Sequence, residues 1–451
     1  MLAAGRGTRM RSARPKVLHP LGGRPLAEYA VRAAATATGA RPIAVVAPGL
    51  PEIVAMLSPL ADCVEQSEAR GTGDALRSVP VDRRSTGPVL VVNGDSPLVR
   101  AETMASVLTA LDAGGRRSAL VAVSPAPAGF GRLVLNGDRE AVAVVEERDL
   151  PSGLAAPDDG NAGVYAFDGA SLWSALDRLG TDNAAGEVYL TDVVALLGPA
   201  TVVRVTDPEE AIGVNDRRDL AAAEAVLRRR TLLDLMLSGV TVEDPSTTYV
   251  DPSVRVGRDT VLRPMSVLRG RTAVGEGCEI GPMAQLRDVR TGNGVRIGAS
   301  TLDDCVLEDD VVVGQYARVR PGSRLRRGVY LGTHAEIKNS DLGEGTHVSH
   351  FACVLDSDVG ARVNVSAGVV TCNYDGLSKA RVQLGDDVFV GSDAMLLAPL
   401  SVGDSAYIAA GSVVGSDVPA GALAVERGQL RTVEGWVERR RARASREGAD
   451  R

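Results

Sequence analysis

Apolar and polar positions follow two different rhythms along the chain. Up to about residue 217, short aliphatic runs are separated by longer segments with helical spacing. Ile43–Val46, Val89–Val92, Ala119–Val123 and Val202–Val205 read as buried strands, with the Ala-rich stretches Leu26–Ala37 and Thr103–Leu111 as helices between them. Such alternation predicts an α/β domain with a mostly parallel sheet, its site at the strand ends. Residues 218–238 are rich in helix formers and lack Gly and Pro, which predicts a linker helix stopped at Ser238-Gly239. From residue 239 to about 430 an aliphatic residue recurs at spacings of six, usually followed by a small residue. Val256-Gly, Ile280-Gly, Ile297-Gly, Val313-Gly, Leu331-Gly, Val359-Gly, Leu384-Gly, Val390-Gly, Val402-Gly and Ile408-Ala are the clearest cases. A hexapeptide period means three short strands per coil of a β-helix. The aliphatic side chain is expected to point into a narrow core, and the small residue to sit where the chain turns. Ordinary strands of a sandwich would not repeat so often at this period.

Composition narrows the picture. The 451 residues are too many for one ordinary core, and 45% hydrophobic against 24% charged argues against bulk disorder. Aromatics at 3% and 50 glycines suit a core of small aliphatics and tight turns. The net charge of −7 disfavours a non-specific nucleic-acid binder, and no apolar run reaches the length of a membrane helix. Met1 to Met10 has no apolar run behind its basic residues and so is not a signal peptide; a cytoplasmic protein is expected, with no membrane partner. Five scattered cysteines without a CxxC exclude a disulfide framework, and four histidines make a multi-histidine metal site improbable. The tail 431–451 is basic and reads as a helical or frayed solvated end.

Chemistry is concentrated in a few motifs. Leu2-Ala3-Ala4-Gly5 leads into Gly7-Thr8, a pattern that lets backbone N–H groups approach a phosphate. Met10 stands where a dinucleotide fingerprint needs its third glycine, and no Gly-Lys-Ser/Thr follows for a P-loop. Lys16, in Arg14-Pro15-Lys16, adds a cation that can neutralise phosphoryl charge. In the second half His350 is a candidate base, because an amine must lose its proton before attacking a thioester.

These segments resemble the sugar-nucleotide pyrophosphorylases. Further matches are Glu65-Gln66, Gly71-Thr72-Gly73-Asp74-Ala75, Asn93-Gly94-Asp95, Gly129-Phe130-Gly131-Arg132, Glu146-Glu147, Asn161-Ala162-Gly163, the run from Asn183 to Asp192, and Gly213-Val214-Asn215. With the hexapeptide half included, the resemblance covers nearly the whole chain. It points to the family of bifunctional N-acetylglucosamine-1-phosphate uridylyltransferases and glucosamine-1-phosphate N-acetyltransferases. It implies an α/β nucleotidyltransferase (Rossmann-like) domain, residues 1–217, and a C-terminal left-handed parallel β-helix of hexapeptide repeats, residues 239–430.

The resemblance also implies roles. Leu2, Ala3, Ala4 and Gly5 would approach the nucleotide of UTP, with Gln66, Gly71 and Thr72 reading its uracil and Asn93 and Gly94 alongside. Asp95 and Asn215 would hold Mg²⁺ through oxygen, Lys16 would stabilise phosphoryl charge, and Gly131, Glu146 and Asn161 would face the acetamido sugar. In the β-helix, Arg320, Lys338 and Lys379 would bind the sugar phosphate, with Cys353 and Asn364 at the sugar. Ala367, Asn373, Tyr374, Ser392, Ala410 and Arg427 would hold acetyl-CoA, and His350 would be the base. A homotrimer would follow, with flat β-helix faces packed side by side.

The chain departs from the family at four places. Asn93 and Cys353 stand where the family has tyrosines. The loss of one neutral hydrogen bond at Cys353 predicts a raised KM, by about tenfold at most, with acetyl transfer retained. Ser366 replaces a coil glycine and is expected to strain the turn if φ there is positive. The family's apolar strand before LAAG is not seen, so a central sheet strand is expected to be lost, as though the start codon had been assigned too late. Three rival readings are a uridylyltransferase with the β-helix as trimerisation scaffold, a non-catalytic regulatory relative, and a glucose-1-phosphate nucleotidylyltransferase.

Overall fold

The computed structural model describes residues 1–5, 7–150 and 157–449. It divides into two compact units, Met1–Thr231 and Leu232–Arg451, with one helix, Arg217–Leu237, running across the division.

In the first unit seven strands matter for the site: β1 (Leu2–Ala3), β2 (Ile43–Val46), β3 (Asp62–Glu65), β4 (Pro88–Val92), β5 (Ser118–Val123), β6 (Gly160–Asp168) and β7 (Thr201–Arg204). β2 pairs in parallel with both β1 and β3, and Leu2 bridges in parallel to Asn93 at the end of β4. β6 runs antiparallel to β4 and β5, and β7 is parallel to β5. Among these seven strands only β6 runs antiparallel, and the hairpin of Arg132–Leu135 and Ala141–Val145 adds a further antiparallel pair at the sheet's edge. The chain leaves β1 with neighbours on both sides, and such a point opens a crevice beyond the strand ends. The helices Leu26–Thr38 and Ala101–Gly114 bury Ala30, Val31, Ala34, Met104 and Val107 against this sheet.

The expected loss of a central strand is corrected: β1 is short, but Leu2 and Ala3 are in register with Val45 and Val46. The Met1 amino group donates to the Ile43 carbonyl at 2.8 Å, and burial lowers its pKa to about 5.

In the second unit every third strand stacks in parallel on the same face, giving faces of 11, 10 and 9 strands. The stacks are long because the register never slips: Leu331 pairs with Val348, Val348 with Val365, and Val365 with Val390. One aliphatic side chain per strand fills the axis, among them Ile297, Val313, Leu331, Val348, Val365, Val390 and Ile408, all buried. This is a left-handed parallel β-helix.

The reason for its glycines differs from the expected one. Gly314 and Gly332 have no left-handed backbone; a Cβ on Gly332 would lie 2.7 Å from the backbone N of His350 in the next coil. Close approach between coils, and not turning, selects glycine there. The left-handed positions come two residues later and carry bulky side chains: Tyr316, His334 and Phe351, at φ of 58°, 60° and 58°. The tail forms the helix Trp436–Ala449, exposed over residues 436–445.

Candidate functional site

The glycine loop after β1 brings together residues far apart in sequence. Gly7 takes φ 64°, and a Cβ there would collide with the side chain of Lys16, so glycine lets the lysine lie under the loop. Lys16 is buried, and its Nζ donates to Asp95 Oδ2 at 2.6 Å and to Asn215 Oδ1 at 3.4 Å. Asp95 follows β4, whose extension is pinned by the Gly94 N–H donating to the Leu2 carbonyl at 2.8 Å. Asn215 is placed by its own N–H donating to Asp219 Oδ2 at 2.9 Å, and by the Val214 N–H donating to the Asp95 carbonyl at 2.8 Å.

Three segments thus converge on one ammonium. Among the described residues no group of three or more His, Cys, Asp or Glu side chains could hold a metal. One carboxylate and one amide oxygen nevertheless fit Mg²⁺, which keeps several waters and is completed by substrate phosphates.

Gln66 is buried at the end of β3, and its Nε2 donates to Asp74 Oδ2 at 2.9 Å and to the Gly71 carbonyl at 3.4 Å. Gly71, at φ 114°, is required because a Cβ would sit 2.5 Å from the Val188 carbonyl oxygen. Thr72 Oγ1 accepts from the Leu190 N–H at 3.0 Å. Asn161 lies on β6, its Nδ2 donating to the Tyr165 hydroxyl at 2.6 Å and its N–H to the Gly131 carbonyl at 2.8 Å. Glu146 flanks Gly131; burial pushes its carboxyl above the usual range, partly offset by a hydrogen bond from Thr191 Oγ1 at 3.1 Å. Asn93 lies under this strand, where a Cβ on Gly163 would strike its side-chain nitrogen. Ala3 and Ala4 are buried, whereas Gly5 is exposed with open space where a Cβ would lie.

The β-helix residues fall into two groups. His350 is exposed at the corner between the first and second faces, with Phe351 edge-on at 5.7 Å between ring centroids. Ala367, Ser392 and Ala410 continue the same corner: the N–H groups of Gly368, Asp393 and Gly411 donate to the carbonyls of His350, Ala367 and Ser392 at 3.3, 2.9 and 2.8 Å. Arg427 donates to the Ala410 carbonyl at 2.6 Å.

The second group lies at the corner between the second and third faces. Arg320 stacks above Lys338, since Val319 pairs with Ile337. Arg320 Nη1 donates to Glu336 Oε1 at 3.0 Å, and Lys338 Nζ to Asp356 Oδ2 at 3.3 Å. Asn373 also reaches Asp356 and opens a loop, closed by a Tyr374–Lys379 bridge, that leaves both of those residues exposed. Asn364 is on the first face, donating to Ser366 Oγ at 3.0 Å. The residues expected at acetyl-CoA are thus divided between the two corners, with Asn373 and Tyr374 beside the sugar-phosphate cations.

A model of the MobA-like NTP transferase domain matches residues 1–190. The bifunctional protein GlmU of Mycolicibacterium gilvum is 43% identical over 458 residues, covering 98% of this chain and 91% of that protein. That of Thermotoga maritima is 41% identical over 442 residues, 98% of each chain, and that of a Geobacillus strain 39% identical over 445 residues, 97% of each.

The chain belongs to the bifunctional GlmU family.

It is accordingly a two-activity enzyme that makes UDP-N-acetylglucosamine, acetylating glucosamine-1-phosphate and transferring a uridylyl group, with a nucleotide and acetyl-CoA among its small-molecule substrates. Among its described residues no helix is long and apolar enough to cross a membrane.

Two departures from the GlmU pattern can be judged on the geometry. Ser366 has no left-handed backbone and accepts from Asn364, so the expected turn strain is absent. Cys353 is half-buried between Glu336 and Val370; burial, and then Glu336, push its thiol pKa up, which disfavours the thiolate.

Sequence reasoning missed several residues. Arg9 Nη2 donates to Asn215 Oδ1 at 2.9 Å, and Arg217 braces Met10 and His19. Thr191 supports Glu146, and Asp356 joins Lys338 to Asn373. Arg9, beside the glycine loop, and Thr191, inside the run from Asn183 to Asp192, carried a signal in their positions; Arg217 and Asp356 have none, because their partners lie on different segments.

Proposed function

We propose that residues 1–217 transfer the uridylyl group and residues 239–430 the acetyl group, with helix 218–238 between them and the basic tail 431–451 as a solvated end. The convergence of Lys16, Asp95 and Asn215 carries the first half of this reading. Leu2, Ala3, Ala4 and Gly5 line the approach of UTP, and Gln66, Gly71 and Thr72 face its uracil. An amide at Gln66 offers a donor and an acceptor to a pyrimidine edge. Gly131, Glu146 and Asn161 orient the acetamido sugar so that its phosphate oxygen lies in line with the α-phosphorus of UTP. Asp95 and Asn215 would hold Mg²⁺, which would supply charge stabilisation to the phosphates, and Lys16 places its ammonium beside them to neutralise phosphoryl charge. No protein nucleophile is needed; positioning and charge suffice.

In the β-helix, His350 takes a proton from the amino group of glucosamine-1-phosphate. The freed nitrogen attacks the thioester carbonyl of acetyl-CoA, and the coenzyme leaves as a thiolate that is then protonated. Arg320, Lys338 and Lys379 hold the sugar phosphate, while Ala367, Asn373, Tyr374, Ser392, Ala410 and Arg427 hold acetyl-CoA. Within one chain His350 and Lys338 sit at opposite ends of a strand, roughly 15 Å apart along the second face. That span exceeds a single sugar phosphate. A homotrimer, in which a neighbour's corner faces His350, resolves it, and a cytoplasmic location fits these substrates.

A two-channel assay tests the reading. Glucosamine-1-phosphate, acetyl-CoA, UTP and Mg²⁺ are supplied while free thiol and pyrophosphate are followed separately. Release of both is expected. Pyrophosphate alone, seen only with N-acetylglucosamine-1-phosphate, would reduce the β-helix to a scaffold, and a stable monomer in light scattering would oppose the trimer.

A further inference from the structure

Asp356 belongs to no motif that suggested function, yet it is the most heavily engaged carboxylate of the β-helix corner. It is 6% exposed and adopts φ 47°, a left-handed backbone that Asp, Asn and Gly accept most readily. Three side chains from the coils before and after donate to it. Asn339 Nδ2 reaches Oδ1 at 2.7 Å, while Lys338 Nζ, at 3.3 Å, and Asn373 Nδ2 share Oδ2.

An ionised carboxylate accepts only, so two oxygens can serve three donors. Burial alone would raise its pKa, but the bonds from Asn339, Asn373 and Lys338 outweigh that and hold it below the usual range. The carboxylate is therefore charged at neutral pH, and its charge has two consequences.

First, it fixes Lys338 while using only one of the three ammonium donors, which leaves the others for an incoming phosphate. Second, it anchors Asn373, the root of the loop that carries Tyr374 and Lys379. We propose that Asp356 is a positioning residue that ties the sugar-phosphate cation Lys338 to the loop beginning at Asn373, so that the sugar-phosphate and acetyl-CoA subsites are set by one buried carboxylate. This rests on the roles given above to Lys338 and Asn373.

Two substitutions keep the left-handed backbone. Asp356→Gly removes all three acceptor contacts, and Asp356→Asn removes the charge with little change of shape. Kinetics of acetyl transfer are measured with each substrate varied, and uridylyl transfer from N-acetylglucosamine-1-phosphate is measured on the same preparations. For Asp356→Gly the KM values for glucosamine-1-phosphate and acetyl-CoA are expected to rise together, the first by about tenfold or more, with kcat changed less. Asp356→Asn should give the same pattern, smaller. Uridylyl transfer should be unchanged. Asn373→Ala combined with Asp356→Gly should add less to the acetyl-CoA KM than the two changes separately.

A rise in only one KM, a fall in kcat alone, full additivity, or a lower melting temperature with unchanged KM values would each overturn the proposal. If the unmodified protein shows no acetyl transfer, the functional reading of the corner fails instead. Calorimetric binding of glucosamine-1-phosphate and of CoA to it and to Asp356→Gly then decides: both affinities weakened supports the tie, and either one unchanged overturns it.

Discussion

In the α/β unit, Lys16, Asp95 and Asn215 come from segments up to 199 residues apart and meet at one ammonium. In the β-helix, His350, Ala367, Ser392 and Ala410 form a column, one residue per coil, along one corner, and Arg320 and Lys338 begin another. The first arrangement depends on chain topology: each residue ends a different strand or turn, and none has a near-equivalent neighbour. The second depends on repetition, so each residue has a counterpart one coil away that shares its backbone environment. In a column the repeated backbone accepts a change of side chain without strain, as Ser366 illustrates, whereas each residue of the convergent site has a backbone setting of its own.

The comparison can be broken most directly at its two centres. His350→Ala should lower acetyl transfer by on the order of 10²–10⁴-fold, read as free thiol, and leave pyrophosphate release intact when N-acetylglucosamine-1-phosphate is supplied. Asp95→Ala should do the reverse, lowering uridylyl transfer by on the order of a hundredfold or more. Loss of both activities from either change would show that the two units do not work independently.

A backbone test is next in size. Gly71→Ala places a Cβ against the Val188 carbonyl at a φ that glycine alone takes easily, and should destabilise the first unit by about 1–3 kcal/mol in denaturant unfolding.

Glu146→Gln sharpens the contrast between stability and use. Burial raises the Glu146 pKa, so the folded state prefers its neutral form. Ionisation then removes stability as pH rises from the ordinary carboxylate range through the folded pKa. The amide should abolish that slope in melting temperature against pH and give a small gain at neutral pH, while weakening use of the acetamido sugar.

The smallest effect is expected at Cys353→Tyr. Restoring the family's hydroxyl should lower the KM for glucosamine-1-phosphate by up to about tenfold, with kcat little changed.

The two units also differed in how well their sequence could be read. The period of six gave the β-helix because one aliphatic side chain per strand must fill a narrow axis, and Leu331, Val348 and Val365 do so. It misjudged the glycines, since close approach between coils leaves the same pattern as a turn. In the α/β unit the runs at Ile43–Val46 and Ala119–Val123 were legible because they are buried on both sides. The antiparallel course of β6 was not, because pairing direction leaves no mark on an apolar run. Candidate residues within a motif could be named, but partners such as Thr191 for Glu146, or Arg217 for His19, could not. Those contacts are set by which segments the fold brings together.

The unbroken register of the β-helix has a mechanical consequence. Val313 pairs with Leu331 and Leu331 with Val348, so successive coils take 18 and 17 residues and touch only the coils on either side. Pulled from one end, such a rod yields by peeling and not by shear: each coil parts from its neighbour while those beyond it keep their ladders. A force trace should show a series of small steps of about 60 Å of released contour each, with one longer step of about 85 Å from the coil between Val365 and Val390 that carries the Asn373 loop.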